Sequence, residues 1–333
     1  MVPVTLEQLA GTGKIDRFLM EKAADLIAAL HLNAPPLKPS LGPAGPPEGA
    51  MEALFIRRRK AGCMRLIHGD LRLRNIALVD DQLTLINRAG PDCAAAQIDV
   101  VGDLAVLLRE LQARGLHEPL NILFNRYFDV TGGVVDDPET LTVLRHFLAD
   151  ATGSTKPSAR LVAIGGLSGG GKSRMSRKLA PFFACPAGAR VVRTDVVRKR
   201  MMGIALSERL LSHGYTEEKS RQTYQRFGDE LSVALAQGHS VIADAVFAQP
   251  EQRQQVQAIA ERAGVAFCGL WVHAPVEVRE DRVNSRRNNV SDVTTDVIQR
   301  QLDIDLGAIE WHQIDSSGPK DQTLQQGRDI VGV

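Results

Sequence analysis

The stretch Leu161-Val-Ala-Ile-Gly-Gly-Leu-Ser-Gly-Gly-Gly-Lys-Ser-Arg-Met175 decides the fold. Inside it, Gly166-Leu167-Ser168-Gly169-Gly170-Gly171-Lys172-Ser173, followed by Arg174, fits G-x-x-x-x-G-K-[ST]. The glycines let consecutive backbone N–H groups turn inward around a phosphate. Lys172 then reaches the β and γ phosphates, the Ser173 hydroxyl ligates Mg²⁺, and the helix starting near Gly171 points its positive end at the anion. The spacing predicts ATP with Mg²⁺ as the ligand. A loop selected only for flexibility is the competing reading, but an apolar strand before it and an amphipathic helix after it are the context a phosphate loop requires.

Outward from this loop, four short apolar runs alternate with longer helical patterns. The runs are Leu161–Ile164, Arg190–Arg193, Ser240–Ala243 and Phe267–Val272. The helices between them cover about Ser173–Phe183, Glu217–Gln237 and Glu251–Ala263. Gly238 and Gly264 follow the last two, where a helix end favours a left-handed residue. Strand, helix, strand in repetition predicts an α/β domain over residues 161–333, a P-loop NTPase with a parallel sheet and helices on both faces. The small, polar segment Ala151-Thr-Gly-Ser-Thr-Lys-Pro-Ser-Ala-Arg160 reads as a linker from a first domain over residues 1–150.

Ligands of such sheets sit at the C-terminal ends of the strands. The second strand ends in Arg193-Thr194-Asp195-Val-Val-Arg198. Asp195 is placed there to orient an acceptor hydroxyl and take its proton, and Arg198, one turn on, to hold an anionic group of the acceptor. Asp195 as a helix N-cap is the competing reading, and one residue can do both. Asp244 closes the third strand, either as a carboxylate for Mg²⁺ or the acceptor, or as a turn residue. After the fourth strand, His273-Ala-Pro275 opens a helix with Arg279, Arg282, Arg286 and Arg287. A row of guanidinium groups over the loop would neutralise charge that builds up in phosphoryl transfer. Paired with Glu277, Glu280 and Asp281, the same helix reads as a solvated charged face.

From about Leu161 to Trp311 the chain resembles the small P-loop kinases that phosphorylate hydroxyls, such as gluconate kinase and the kinase domain of phage polynucleotide kinase. The resemblance rests on GLSGGGKS, on Asp195 with Arg198, on Asp244 and on the arginine-bearing helix. It implies the ATP loop, a general base with its acceptor clamp, a metal-side or substrate-side carboxylate, and transition-state arginines, with Lys172, Asp195, Arg198, Arg282 and Arg286 as the catalytic set.

In the first half, Ile67-His68-Gly69-Asp70-Leu-Arg-Leu-Arg-Asn75-Ile76 is similar to the catalytic loop of aminoglycoside phosphotransferases. The resemblance implies Asp70 as proton acceptor and Asn75 as a metal ligand, with Ile98-Asp-Val-Val-Gly-Asp-Leu as the start of a helix that anchors the loop. The family's next strand ends in a metal-binding Asp, and the matching position here is Asn87. Its neutral amide removes a negative charge from the metal site. No Gly-rich hairpin or strand lysine precedes His68. The expectation is a truncated α+β domain like the kinase C-lobe, with a vestigial site at Asp70, Asn75 and Asn87. The order of pieces resembles a bacterial family of fused aminoglycoside-phosphotransferase-like and ATP-binding proteins.

Around these motifs the pattern is ordinary. An amphipathic helix covers residues 14–31, helices follow at Ala50–Arg59, Ile98–Arg114, Glu118–Tyr127 and Pro138–Ala149, and strands at Met64–Ile67, Ile76–Val79 and Leu83–Ile86. The chain has 333 residues with formal charge +1, 44% hydrophobic and 5% aromatic residues, which argues against a nucleic-acid partner. The four cysteines are scattered and read as reduced thiols, and no apolar run is long enough for a membrane span. The sequence therefore predicts a cytoplasmic, ATP-dependent enzyme that phosphorylates a hydroxyl of a small molecule. An ATP-binding sensor without transfer, or an aminoglycoside phosphotransferase working through Asp70, are the alternatives. The acceptor and the oligomeric state are not encoded in any motif.

Overall fold

The computed structural model describes residues 3–37, 50–90, 93, 97–132, 137, 139–149, 158–210, 212–285 and 295–333. Most of the segment read as a linker lies outside them. The chain divides into two compact units, Met1–Thr131 with Glu139–Ser154, and Gly132–Pro138 with Thr155–Val333.

The first unit runs β1 (Val4–Thr5), α1 (Leu6–Gly11), α2 (Arg17–Asn33), α3 (Ala50–Lys60), β2 (Met64–Leu66), β3 (Ile76–Val79), β4 (Gln82–Leu85), β5 (Gln97–Asp99), α4 (Val100–Ala113), α5 (His117–Val130) and α6 (Thr140–Leu148). Helix α2 starts where the Asp16 carboxylate accepts the Leu19 N–H at 2.8 Å, and it buries Met20, Ala23, Ala24, Ile27 and His31 at helical spacing. Strands β3 and β4 form a hairpin, with Asp80 at φ 47° and Asp81 at φ 61°. Two consecutive left-handed residues are what a two-residue hairpin turn needs, and Asp tolerates them. The expected helix over Ile98–Arg114 begins instead as a strand, β5, paired antiparallel with β2. Ile98 continues the apolar spacing of α4, so periodicity alone merges the two.

The second unit runs β6 (Arg160–Gly165), α7 (Lys172–Leu179), β7 (Arg190–Arg193), α8 (Thr194–Met201), α9 (Glu217–Ala236), β8 (Val241–Asp244), α10 (Pro250–Ala263), β9 (Ala266–His273), α11 (Val276–Asn284), α12 (Thr295–Arg300), β10 (His312–Asp315) and α13 (Lys320–Val331). Its five strands are all parallel, in the order β10-β9-β6-β8-β7. Side chains of alternate strand residues form a core with α7 and α13: Val162, Ile164, Ile242, Leu270, Val272 and Ile314 meet Met175, Leu179 and Val331. Truncating one of the fully buried members to Ala would cost about 2–5 kcal/mol. An aromatic group of Phe227, Phe247 and Trp311 forms a second cluster in the same unit.

The fifth strand, β10, was not anticipated. Of its four residues only Ile314 is buried, so it carries almost none of the apolar signal by which the other four are recognised. Strand β6, the stem of the glycine-rich loop, is central, between β9 and β8. The C-terminal ends of β6, β7, β8, β9 and β10 therefore share one edge of the sheet, and the candidate site is built there.

Candidate active site

The loop after β6 folds tightly against the end of β9. Gly166 has φ 134°, and a Cβ there would lie 2.0 Å from the Val272 carbonyl oxygen. Gly171, at φ 99°, precedes the first residue of α7. Lys172 Nζ donates to the Leu167 carbonyl at 3.1 Å, so the ammonium is held against the loop. Ser173 and Arg174 follow in the first turn of α7 and are half-buried. The Ser173 hydroxyl makes no hydrogen bond among the described residues, whereas the next serine of the helix, Ser176, donates to the Lys172 carbonyl at 3.0 Å.

Side chains from three later segments grip the loop's peptide groups. Arg279 Nε of α11 donates to the Ser168 carbonyl at 2.8 Å. Gln301, just past α12, accepts the Ser168 N–H at 2.8 Å and donates to its hydroxyl at 3.1 Å. Ser316, just past β10, donates to the Gly170 carbonyl at 2.7 Å and accepts from Arg282 Nη1 at 2.9 Å. Arg282 Nη1 also lies 3.5 Å from the Gly169 carbonyl. Arg279 and Arg282, expected as a charged row above the loop, are thus bonded to its backbone. Burial lowers the Arg279 pKa, against an opposing effect of Glu280. Arg286 and Arg287 lie outside the described residues. Neither Gln301 nor Ser316 is marked by a motif, because each acts through peptide groups far away in sequence.

On the acceptor side, Asp195 lies in the first turn of α8 and is half-buried. The residue preceding this helix is Arg193, and it makes no side-chain cap, so the capping reading of Asp195 is not what the structure shows. The Asp195 carboxylate makes no hydrogen bond or ion pair among the described residues. Arg198 is buried, donates to the Gly214 carbonyl at 2.9 Å and lies over the Tyr215 ring at 4.9 Å. Tyr224 of α9 senses both groups. Burial pushes its phenol up to about 12, the Phe247 backbone and Arg198 oppose the shift, and Asp195 adds to it.

Asp244, at the end of β8, stands in register with Arg193, at the end of β7. Both are buried, at 4% and 7% exposure. Arg193 Nε lies 3.7 Å from Asp244 Oδ2, beyond hydrogen-bonding distance. Arg193 Nε and Nη2 and Asp244 Oδ2 have no hydrogen-bond partner. An orphaned carboxylate oxygen and a free serine hydroxyl suit a hard, oxygen-seeking cation such as Mg²⁺ that keeps several waters.

The first unit contains a second cluster. Asp103 of α4 accepts the His68 and Gly69 N–H groups at 3.1 and 3.2 Å, which fixes the loop before Asp70. Asn75 donates to Asp70 Oδ2 at 2.9 Å and accepts from Asn87 Nδ2 at 3.1 Å, so the three sequence-flagged residues are in contact. Arg72 and Arg74 bond the two Asp70 oxygens at 2.8 and 2.9 Å. Partial burial acts to raise the Asp70 pKa, but hydrogen bonds from Arg74, Arg72 and Asn75 outweigh it and hold the carboxyl below its ordinary 3.8.

Residues 161–304 match the family model described as AAA domain. The matched stretch contains the Gly166–Ser173 loop and strands β7, β8 and β9. Over 314 aligned residues the chain is 27% identical to an uncharacterised protein of Mycobacterium tuberculosis, covering 84% of this chain and 61% of that one. The chain therefore spans less than two thirds of this relative's length. It is 34% identical over 113 residues to an adenylyl-sulfate kinase of Myxococcus xanthus, covering 34% of this chain and 57% of that protein. Among solved structures, a sugar kinase from Janibacter sp. overlays on 53% of this chain and 95% of its own, at 17% identity and TM-score 0.39. An APS kinase of M. tuberculosis in complex with AMPPNP and APS overlays on 53% of this chain and 99% of its own, at 18% identity and TM-score 0.38. Among the described residues, no helix is long and apolar enough to cross a membrane.

Proposed function

We propose that the second unit is a Mg²⁺·ATP-dependent kinase that transfers the γ-phosphoryl group to a hydroxyl of a small molecule. The observation that carries this reading is the shared sheet edge. A glycine-built phosphate loop with Lys172 at its rim follows the central strand, and an unpaired carboxylate, Asp195, follows β7. The Gly166–Arg174 loop holds the ATP phosphates through its N–H groups and the Lys172 ammonium. Ser173 and, through water, Asp244 hold the metal, which supplies charge neutralisation at the phosphates when bound. Asp195 orients the acceptor hydroxyl and receives its proton, and Arg198 fixes the wall of the acceptor site. The similarity to an adenylyl-sulfate kinase over 113 residues supports phosphoryl transfer without naming the acceptor.

Arg279 and Arg282 take a different part from the one the resemblance implied. Bonded to loop carbonyls, they act as positioning residues that keep the ring of amides in shape. We read the first unit as a scaffold with a vestigial phosphotransfer loop. Both Asp70 oxygens are already taken by cations, which leaves a weak proton acceptor. Lys172→Ala should abolish ATP turnover while leaving the unfolding midpoint unchanged. Turnover that survives in Lys172→Ala and disappears in Asp70→Ala would transfer the assignment to the first unit. Mass spectrometry of a metabolite extract incubated with isotope-labelled ATP identifies the acceptor.

A further inference from the structure

Of the site's arginines, Arg279 and Arg282 are committed to the loop and Arg198 to the Gly214 carbonyl. Arg193 differs. Its Nε and Nη2, which form the side-on fork of a guanidinium, lack hydrogen-bond partners although the side chain is buried. Asp244 Oδ2, 3.7 Å from Nε, is equally orphaned. A buried polar atom left without a partner is destabilising, so an arrangement of this kind calls for a reason. A similarly loose pair stands at the opposite end of β7, where Glu230 Oε2 lies 3.9 Å from Arg190 Nη2 and also lacks a hydrogen-bond partner, but there the other carboxylate oxygen is taken by Arg200, so the Glu230 charge is compensated twice.

We infer that Arg193 is a catalytic residue that contacts the transferring phosphoryl group of ATP, and that its loose pairing with Asp244 is the resting state of this contact. The inference rests on the kinase reading above. Charge and position support it. Asp244 ends β8, which borders β6 and its phosphate loop, and Arg193 ends β7, one strand further out on the same edge of the sheet. Two orphaned donors match two phosphoryl oxygens bidentately. One orphaned acceptor matches a metal-bound water. Magnesium-ATP would satisfy all three atoms at once, whereas an anion alone would leave Asp244 facing like charge. In the transfer, the acceptor oxygen bonds to phosphorus as the bond from phosphorus to the bridging oxygen breaks. ADP leaves with that electron pair, and the hydroxyl proton passes to Asp195. Arg193 neutralises charge on the phosphoryl oxygens throughout.

The test compares calorimetric affinities for magnesium-ADP and for the magnesium complex of the β,γ-imido analogue of ATP, neither of which requires an acceptor. Arg193→Lys keeps the charge and loses the fork. It should lower affinity for the ATP analogue about tenfold or more while changing ADP affinity less than about twofold. Arg193→Met alone leaves Asp244 buried beside no cation and is prone to unfold, so it is made together with Asp244→Asn and its unfolding midpoint is measured. The folded double variant should show the same loss of preference for the triphosphate. If either variant keeps the wild-type preference, or Arg193→Lys weakens both nucleotides equally, the assignment of Arg193 is overturned while the kinase reading stands. If the wild-type protein binds neither nucleotide, the kinase reading itself falls.

Discussion

Replacing Gly166 by Ala tests the phosphate loop at the point where it has least room. The new Cβ would lie 2.0 Å from the Val272 carbonyl oxygen, against an ordinary contact of 3.4 Å or more. The loop or the end of β9 must therefore move by about 1.4 Å. The obstacle is backbone at the C-terminal end of a strand that is paired on both sides, so the loop moves. At φ 134° an L side chain is also strained. Hydrogen bonds weaken steeply over a displacement of that size, and several inward N–H groups move together. Loss of two such bonds to phosphate, at about 1.5–3 kcal/mol each, lowers nucleotide affinity at least about a hundredfold. Gly264→Ala is the matched control. It too has positive φ, 64°, but nothing lies within 4 Å of the added Cβ. It should cost about 1 kcal/mol of stability and leave affinity unchanged. Calorimetry with magnesium-ATP and thermal unfolding of both variants decide the matter. Equal nucleotide affinities in Gly166→Ala and Gly264→Ala would refute the reasoning.

Asp195→Asn should reduce phosphoryl transfer about a hundredfold or more while ATP affinity changes little; parallel losses of both would remove its role as proton acceptor. Gln301→Ala breaks both bonds to Ser168 and should raise the ATP dissociation constant several-fold; full affinity in Gln301→Ala would show that the contact has no hold on the loop. The Tyr224 phenol should titrate with a midpoint near 12 in a difference-absorbance measurement, not at its ordinary 10. Because its folded-state value is raised, the stability it contributes is complete below 10 and is lost as pH climbs toward about 12, so Tyr224→Phe should flatten that part of the alkaline unfolding curve.

The glycine-rich loop and the stem of every buried strand were legible because their signals are local. The Leu161–Ile164 and Phe267–Val272 runs are apolar throughout, as strands covered on two faces must be. Strand β10 escaped because three of its four residues are exposed, and β5 because Ile98 fits the helical spacing that follows. Asp195, Arg198 and Asp244 could be placed at the ends of strands, since parallel topology sets which ends meet. The roles of Arg279 and Arg282 could not, because their partners are carbonyls of Ser168 and Gly169, more than a hundred residues earlier. Gln301, Ser316 and Arg193 were missed for the same reason: each is defined by what it touches, or by what it leaves unpaired, and neither is a property of its neighbours in sequence.

The central position of β6 has a consequence for the birth of the protein. Of the five strands of its sheet, it leaves the ribosome first, yet its partners on either side are β8 and β9, and its opening residue meets Ser240, 80 residues later. Until that later stretch is made, an apolar segment with both edges bare is tethered to a nascent chain. Synthesis at about 5–20 residues per second leaves it so for several seconds. Mutations that slow closure of the sheet should therefore show first as demand for chaperones, before any loss of catalytic competence in the molecules that succeed in folding.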